Sequence, residues 1–374
     1  MTIQKINETY PFVMDSAPKT VTRINDHEYL YFGGVGYYQL HSHPEVVRAA
    51  TEATLQYGLS SATSRSTTGM TRLHFEVECK VAEFFGTEDA AYLPSGFLSN
   101  LGGIKALREM NLFDIIFIDE LSHYCNKDGA NCAGVPVFQF RNNDIEDLEM
   151  SVKKNLKKGQ KPLIVTDGLF SVFGIMADIP NLLKIAGEYD GIIWIDDAHP
   201  SGIIGPTGRG TYDFFNLKSD RLFFGSTLSK AFGGFGGIIP GNKEFVGRIR
   251  KGGILNGGSQ PPAAAAAASL KGLEIVMNNP DMRADLWSNA RYLKSGLNSI
   301  GIGVEENYFP MAAFVPEKED DIQHIHKRLL EKDIFIQISS YVGTGKMGAL
   351  RMVVFSTHTK EQIDYLISSL KSII

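Results

Sequence analysis

Short runs of consecutive apolar residues alternate with amphipathic stretches through the middle of the chain. "DIIFID", "PLIVTDG", "GIIWIDD" and "RLFFGS" place hydrophobic residues at adjacent positions instead of every second one. Such runs suit strands buried on both faces, as in a largely parallel sheet. Between them, segments such as "IPNLLKIAGEYD" carry apolar residues at helical spacing. That alternation predicts an α/β layer architecture. The tail differs: "DDIQHIHKRLLEKD" and "TKEQIDYLISSLKSII" predict helices, with "MAAFVP", "IFIQIS" and "ALRMVVFS" as strands between or beside them. The expected organisation is an N-terminal arm over residues 1–44 that joins a small domain, a large domain over 45–274, and a small α+β domain over 275–374.

The densest apolar stretch, "GGSQPPAAAAAASLKGLEIV", lies behind two prolines. Proline fits the first turn of a helix and alanine favours its interior, so this stretch predicts a packed soluble helix from near Pro262. No window reaches the roughly 20 apolar residues that a membrane helix needs, and "MTIQKINETYPFVMDSAPKT" lacks a signal-peptide pattern. With 374 residues, 43% of them hydrophobic and 21% charged, the chain suits one large domain plus a smaller one around a sizeable core. A formal net charge of -5 argues against general nucleic-acid binding. Cys79, Cys125 and Cys132 form no CxxC pair and read as free thiols of a reducing compartment, not as a zinc site. Together these features lead us to expect a cytoplasmic protein with no metal and neither a membrane nor a nucleic acid as partner.

The candidate chemistry lies just after the expected strands, where ligands of open α/β sheets gather. "AAYL" is followed by "PSGFLSN", "IIFID" by "ELSHY", "IIWI" by "DDAHPSGIIGPTGRGT" and "LFFGS" by "TLSKAFGGFGG". A lysine, an acid, two histidines and several hydroxyl or glycine residues thus face one expected crevice. Desolvation disfavours an ammonium, and the free amine of a confined lysine forms a Schiff base with an aldehyde. Pyridoxal phosphate (PLP) is an aldehyde whose ring nitrogen needs an acid beside it. Its phosphate needs donors. Gly96 and Phe97, at the start of an expected helix, offer backbone N–H groups, and Thr227 offers a hydroxyl.

From about Tyr29 to its end, the sequence resembles the α-oxoamine synthase branch of fold-type I, class-II PLP-dependent aminotransferases. That branch includes aminooxononanoate synthase, aminoketobutyrate ligase, aminolevulinate synthase and serine palmitoyltransferase. The resemblance rests on "TLSKAFGGFGG", "DDAHPSGIIGPTGRG" and "SQPPAAAAAA" taken together. It implies a large domain with a mostly parallel seven-stranded sheet sandwiched by helices, a smaller α+β domain, PLP as cofactor, and a homodimer with sites at its interface. Lys230 matches the Schiff-base lysine, Asp196 the partner of the ring nitrogen, and His199 the partner of the phenolic oxygen. His123 matches the histidine stacked on the ring and Ser171 the serine beside it. Ser95, Gly96, Phe97 and Thr227 fall in the cofactor-binding set, with the last three as phosphate contacts. Ser259 matches a contact from the neighbouring subunit, and Arg351 matches the arginine that receives the amino-acid carboxylate.

Plainer roles compete at several of these positions: a helix cap for Asp196, core histidines for His199 and His123, turn residues for Ser171 and Ser259, and a structural ion pair for Arg351. His41, His43, His324 and His326 are expected at the surface or in loops, and the two histidines of "HIH" do not face each other on a helix, which makes them a poor ligand pair. The sequence also departs from the branch. The usual "SNDYLGL" is here "GGVGYYQL", the usual "GSGGSR" is "SSATSRS", and Pro200 follows His199. The cofactor half of the motif set is intact and the substrate half is altered. The first reading is an acyl-CoA:amino-acid C-acyltransferase that gives an aminoketone by decarboxylative condensation. An aminotransferase on the same scaffold is the alternative, and a silent partner subunit is a third reading that the presence of Lys230 disfavours.

Overall fold

The computed structural model describes residues 12–317 and 319–374, so residues 1–11 of the expected arm lie outside the described residues. Two compact units emerge. Of the described residues, the larger comprises 44–170 and 175–280; the smaller comprises 12–43, the segment Ser171–Gly174 and those from 281 onward.

The larger unit is built on a seven-stranded sheet. Its strands, numbered along the chain, are β1 (Asp89–Leu93), β2 (Ile115–Asp119), β3 (Val137–Phe140), β4 (Pro162–Asp167), β5 (Ile192–Asp196), β6 (Leu222–Thr227) and β7 (Gly237–Gly241). Their spatial order is β1-β7-β6-β5-β4-β2-β3, with only β7 antiparallel to its neighbours. The unbroken apolar runs explain the central position of β2, β4 and β5: nearly every residue in them is buried, on both faces. The fold expected from the apolar pattern and the resemblance is therefore found.

Four helices enter the description below: α1 (Gly96–Glu109), α2 (Tyr124–Cys132) and α3 (Ala263–Asn278) in the larger unit, and α4 (Asp281–Ser299) in the smaller. Helix α1 follows β1 after a single turn and is capped by Ser95, whose Oγ accepts from Leu98 N. Helix α2 follows β2 and takes His123 as its N-cap. Helix α3 is the alanine tract, and Pro262 stands at its N-cap as expected.

The smaller unit holds two three-stranded sheets. One joins Val21–Ile24, His27–Tyr31 and Ile334–Phe335; the other joins Met311–Phe314, Ala349–Val353 and Gln337–Ser339. "IFIQIS", expected as one strand, is thus two short strands that pair in different sheets. The helices Glu319–Leu330 and Lys360–Lys371 form where the 3.6-residue spacing places them. His326 corrects an expectation: it is buried, and its Nε2 meets Ile336 O at 3.0 Å, while His324 two residues earlier is exposed. Among the described residues no helix is long and apolar enough to cross a membrane.

Candidate active site

The larger unit gathers Ser95, Gly96, Phe97, His123, Asp196, His199, Thr227 and Lys230 at the carboxyl ends of its strands. Asp196 is the last residue of β5. The sheet register sets it beside Asp167 of β4 on one side and Gly225 of β6 on the other. Its carboxylate is held from three directions. Asn100 Nδ2 donates to Oδ2 at 2.8 Å, the Cys125 thiol reaches the same oxygen at 3.3 Å, and Ala198 N donates to Oδ1 at 3.0 Å.

Asn100 is itself oriented from below. The Trp194 indole N–H donates to Asn100 Oδ1 at 2.8 Å. An indole can only donate, so the amide oxygen faces Trp194 and the amide NH2 faces Asp196. Trp194, in the middle of the central strand β5, is fully buried in the core cluster. It fits there because position 103 is glycine; a Cβ at that position would overlap the indole ring.

His123 sits half-buried at the start of α2, where its backbone N–H donates to Asp167 Oδ1 at 3.0 Å. Its Nδ1 accepts from Cys125 N at 3.1 Å and lies 2.7 Å from Cys125 Sγ. Burial holds the His123 imidazole below its ordinary pKa; Asp196 pulls it upward and the Lys230 ammonium pushes it further down. The ring is therefore neutral at pH 7, as suits a group laid against an aromatic face. Burial, aided by the charge of Asp196, raises Asp167 well above the usual carboxylate range.

Asp197, next in sequence to Asp196, does different work. It is buried, accepts from Thr211 N at 3.1 Å and from the Thr211 hydroxyl, and burial pushes its pKa up to about 7. Gly210 has φ +96°, and a Cβ there would run into this carboxylate. The glycine-rich motif after β5 thus wraps Asp197 and fixes the turn that carries half-buried His199.

The N-terminus of α1 forms a cradle. Its first N–H groups, on Gly96 and Phe97, have no partner among the described residues, whereas those of Leu98 and Ser99 go to Ser95. A Cβ at Gly96 would come within 2.9 Å of Thr227 Cβ, so glycine is what lets this helix end meet the end of β6. Thr227 Oγ1 donates to Gly236 O at 2.8 Å and meets the hydroxyl of exposed Ser229 at 2.8 Å. Ser229, one residue before Lys230, thus adds a hydroxyl outside the expected set. Ser259 lies apart from this group. It is exposed and forms an isolated antiparallel bridge with Ser64.

Ser171 and Arg351 belong to the smaller unit, and there they meet: Arg351 Nε donates to Ser171 O at 2.9 Å. Arg351 is 5% exposed. Its other acceptors are Gly34 O and Gln337 Oε1, both at 3.4 Å, so none of the three is a carboxylate. Burial lowers its pKa, with Tyr37 and Tyr31 pulling the other way. Gly34 and Tyr37 come from "GGVGYYQL", so the segment that departs from the branch packs around this arginine.

His123 Nδ1, Cys125 Sγ and Asp196 Oδ2 all lie within 4.8 Å of one another. The 2.7 Å N···S approach is tighter than the roughly 3.5 Å that tetrahedral zinc bond lengths require. They form a hydrogen-bonded group in which each atom already has a protein partner. The same residues fit PLP, with outward N–H groups at a helix N-terminus for a phosphate, a held carboxylate for a ring nitrogen, a neutral imidazole, and a lysine within electrostatic reach of that imidazole.

Known proteins agree. The profile of the family "aminotransferase class I and II" matches residues 34–370. The chain is 33% identical to 8-amino-7-oxononanoate synthase of Thermoanaerobacter pseudethanolicus over 361 residues, 96% of this chain and 90% of that protein. Serine palmitoyltransferase of Sphingomonas wittichii superposes with a TM-score of 0.91 at 26% identity, covering 99% of this chain and 94% of the other. A high-resolution serine palmitoyltransferase structure with PLP gives a TM-score of 0.91 at 25% identity, over 99% of this chain and 95% of the other. The chain belongs to the aminotransferase class I and II family and, within it, to the PLP-dependent α-oxoamine synthases.

Proposed function

We propose that the protein joins an α-amino acid to the acyl group of an acyl-CoA thioester and works as a cytoplasmic homodimer. One C–C bond forms between the amino-acid Cα and the acyl carbon. The thioester C–S bond and the Cα–carboxylate bond break, and one proton is consumed. The products are an aminoketone, free CoA and CO2. The observation that carries this reading is the convergence of Lys230 and Asp196 on His123, with α1 tied to Asp196 through Asn100.

PLP, when bound, supplies an electron sink conjugated to the amino-acid Cα. Everything else falls to this chain's residues. Gly96 and Phe97 hold the phosphate through their N–H groups, with Ser95, Thr227 and Ser229 beside them. Asp196 keeps a proton on the ring nitrogen, and Asn100 and Ala198 N keep its carboxylate in place. His123 would lie against the ring as a neutral imidazole and His199 would hold the phenolic oxygen, and the match to the family motif assigns Ser171 a place beside the ring. Lys230 would hold the cofactor through its amine, and that amine would also take the substrate Cα proton and return one. Arg351, buried among neutral acceptors, receives the substrate carboxylate in a charge-assisted pair. Ser259 reaches the cofactor of the neighbouring subunit.

The test mixes enzyme with single amino acids, first alone and then with a series of acyl-CoAs. Free thiol and CO2 are expected in equal amounts, only when both substrates are present, and in neither case with Lys230→Ala. Stoichiometric keto acid formed without any CoA would replace this reading with amino transfer.

A further inference from the structure

Cys125 has no role in the chemistry above, yet its sulfur meets His123, Asp196 and Asn100 at once. We propose that Cys125 is a positioning residue that bridges the two groups, its backbone N–H fixing the His123 imidazole and its thiol donating to the Asp196 carboxylate, so that imidazole and carboxylate keep a fixed relative orientation. This rests on the reading in which PLP binds between those two groups.

Cys125 is 1% exposed and forms no disulfide. Its sulfur lies 2.7 Å from His123 Nδ1, 3.3 Å from Asp196 Oδ2 and 3.1 Å from Asn100 Nδ2. Asn100 is a donor at that contact, because its NH2 is turned toward Asp196 by Trp194. The sulfur therefore accepts from Asn100, and its single proton is donated to Asp196 Oδ2. Burial, reinforced by Asp196 and Asp167, raises the Cys125 pKa far above the ordinary thiol range, so that proton stays on sulfur. His123 Nδ1 already accepts from Cys125 N, which leaves the ring proton on Nε2 and fixes the tautomer. One residue thus sets the imidazole through its backbone and the carboxylate through its side chain.

The competing view is that Cys125 only fills space, since a buried free cysteine behaves as a small apolar group. The two views rank substitutions in opposite orders. A space-filler tolerates C125A better than C125S, because serine buries a hydroxyl. A bridging donor tolerates C125S better than C125A. PLP-loaded wild type, C125A and C125S are compared for the rate of cofactor release on dilution and for kcat and KM. C125A is expected to release PLP roughly tenfold faster, the scale of one lost hydrogen bond to a charged group. Its kcat should fall while KM for the amino acid stays put, and C125S should stay within about twofold of wild type on the same scale. C125A matching wild type, or C125S faring worse than C125A, overturns the proposal. A wild-type protein that takes up no PLP overturns the underlying reading as well, so the two failures are distinct. The wild-type S–H stretch, read by Raman difference against C125S, needs no alanine variant. A band lowered relative to the exposed thiols of Cys79 and Cys132 is expected, and an unshifted band overturns the bridge.

Discussion

Arg351 and Lys294 are both buried cations, and they lead to opposite expectations. Arg351 faces carbonyl and amide oxygens, so its charge is uncompensated until an anion arrives. Arg351→Ala is expected to weaken amino-acid binding by about 2–5 kcal/mol, the range for one partner of a buried, hydrogen-bonded charge pair. Spectral titration of PLP-loaded protein with the amino acid reads this directly, and unchanged affinity would make Arg351 structural. Lys294 on α4 is 2% exposed, and its ammonium meets Asn307 Oδ1. Burial lowers its pKa to about 8, against the upward pull of Glu305. Between about pH 8 and the unfolded value of about 10.4, the unfolded chain holds a proton that the folded chain has lost. Stability from this residue therefore rises with pH across that window, by about 3 kcal/mol at most. Lys294→Met removes the buried charge and leaves Asn307 Oδ1 its bond from Phe309 N. Its stability advantage over wild type should be largest near pH 7 and shrink toward pH 10, as read by urea unfolding along a pH series. A gap that does not change with pH would show that Lys294 is not the titrating group.

At the scale of elements, the runs that announce strands are legible because burial on both faces leaves no polar positions to confuse the period. The candidate residues after those strands are legible for a related reason: a motif fixes their distance from a strand end. Asn100, Cys125, Trp194 and Asp167 are not legible. Their roles arise only where β4, β5, α1 and α2 come together, and no spacing in sequence encodes that meeting. The split of "IFIQIS" is hidden as well, since a strand that changes sheets keeps the same apolar pattern in both halves. His326 escapes the pattern because two histidines that share no helix face need not both face solvent, and here one of them faces the core. Gly103 shows how an element transmits to the site. Alanine there drives a Cβ into the Trp194 ring, and that ring orients Asn100. Gly103→Ala should cost about 1–3 kcal/mol, the usual penalty for overpacking a core, and should also speed PLP release. A variant with wild-type stability and cofactor retention would break the proposed link from Trp194 to Asp196.

For the molecule as a whole, the proposed homodimer depends on two loops of the larger unit whose inner sides are firmly tied. Glu78, 3% exposed, pairs with Arg65 at 2.8 Å and with Arg250 at 2.9 Å, and accepts Tyr92 N at 3.0 Å. His74 Nε2 meets Pro261 O at 2.7 Å, and Ser64 bridges Ser259. These contacts hold residues 58–69 and 252–261 in place, while Ser60, Ser61, Thr67 and Ser259 on their outer side stay exposed. Nearby, Leu55 and Leu59 are 84% and 81% exposed, which is unusual for leucines of a monomer's surface when they lie so close in sequence. A second copy of the chain over this face would cover them and bring Ser259 to the neighbour's cofactor. Light scattering is expected to give a dimer, with an interface above the ~1,600 Å² typical of stable complexes. Leu55→Asp with Leu59→Asp changes no residue assigned to cofactor or substrate. The double variant should fold, shift toward monomer, and lose PLP and activity more steeply on dilution than wild type does. Full activity in a monomeric fraction of either protein would show that one chain holds a complete site, and Ser259 would then lose its proposed role.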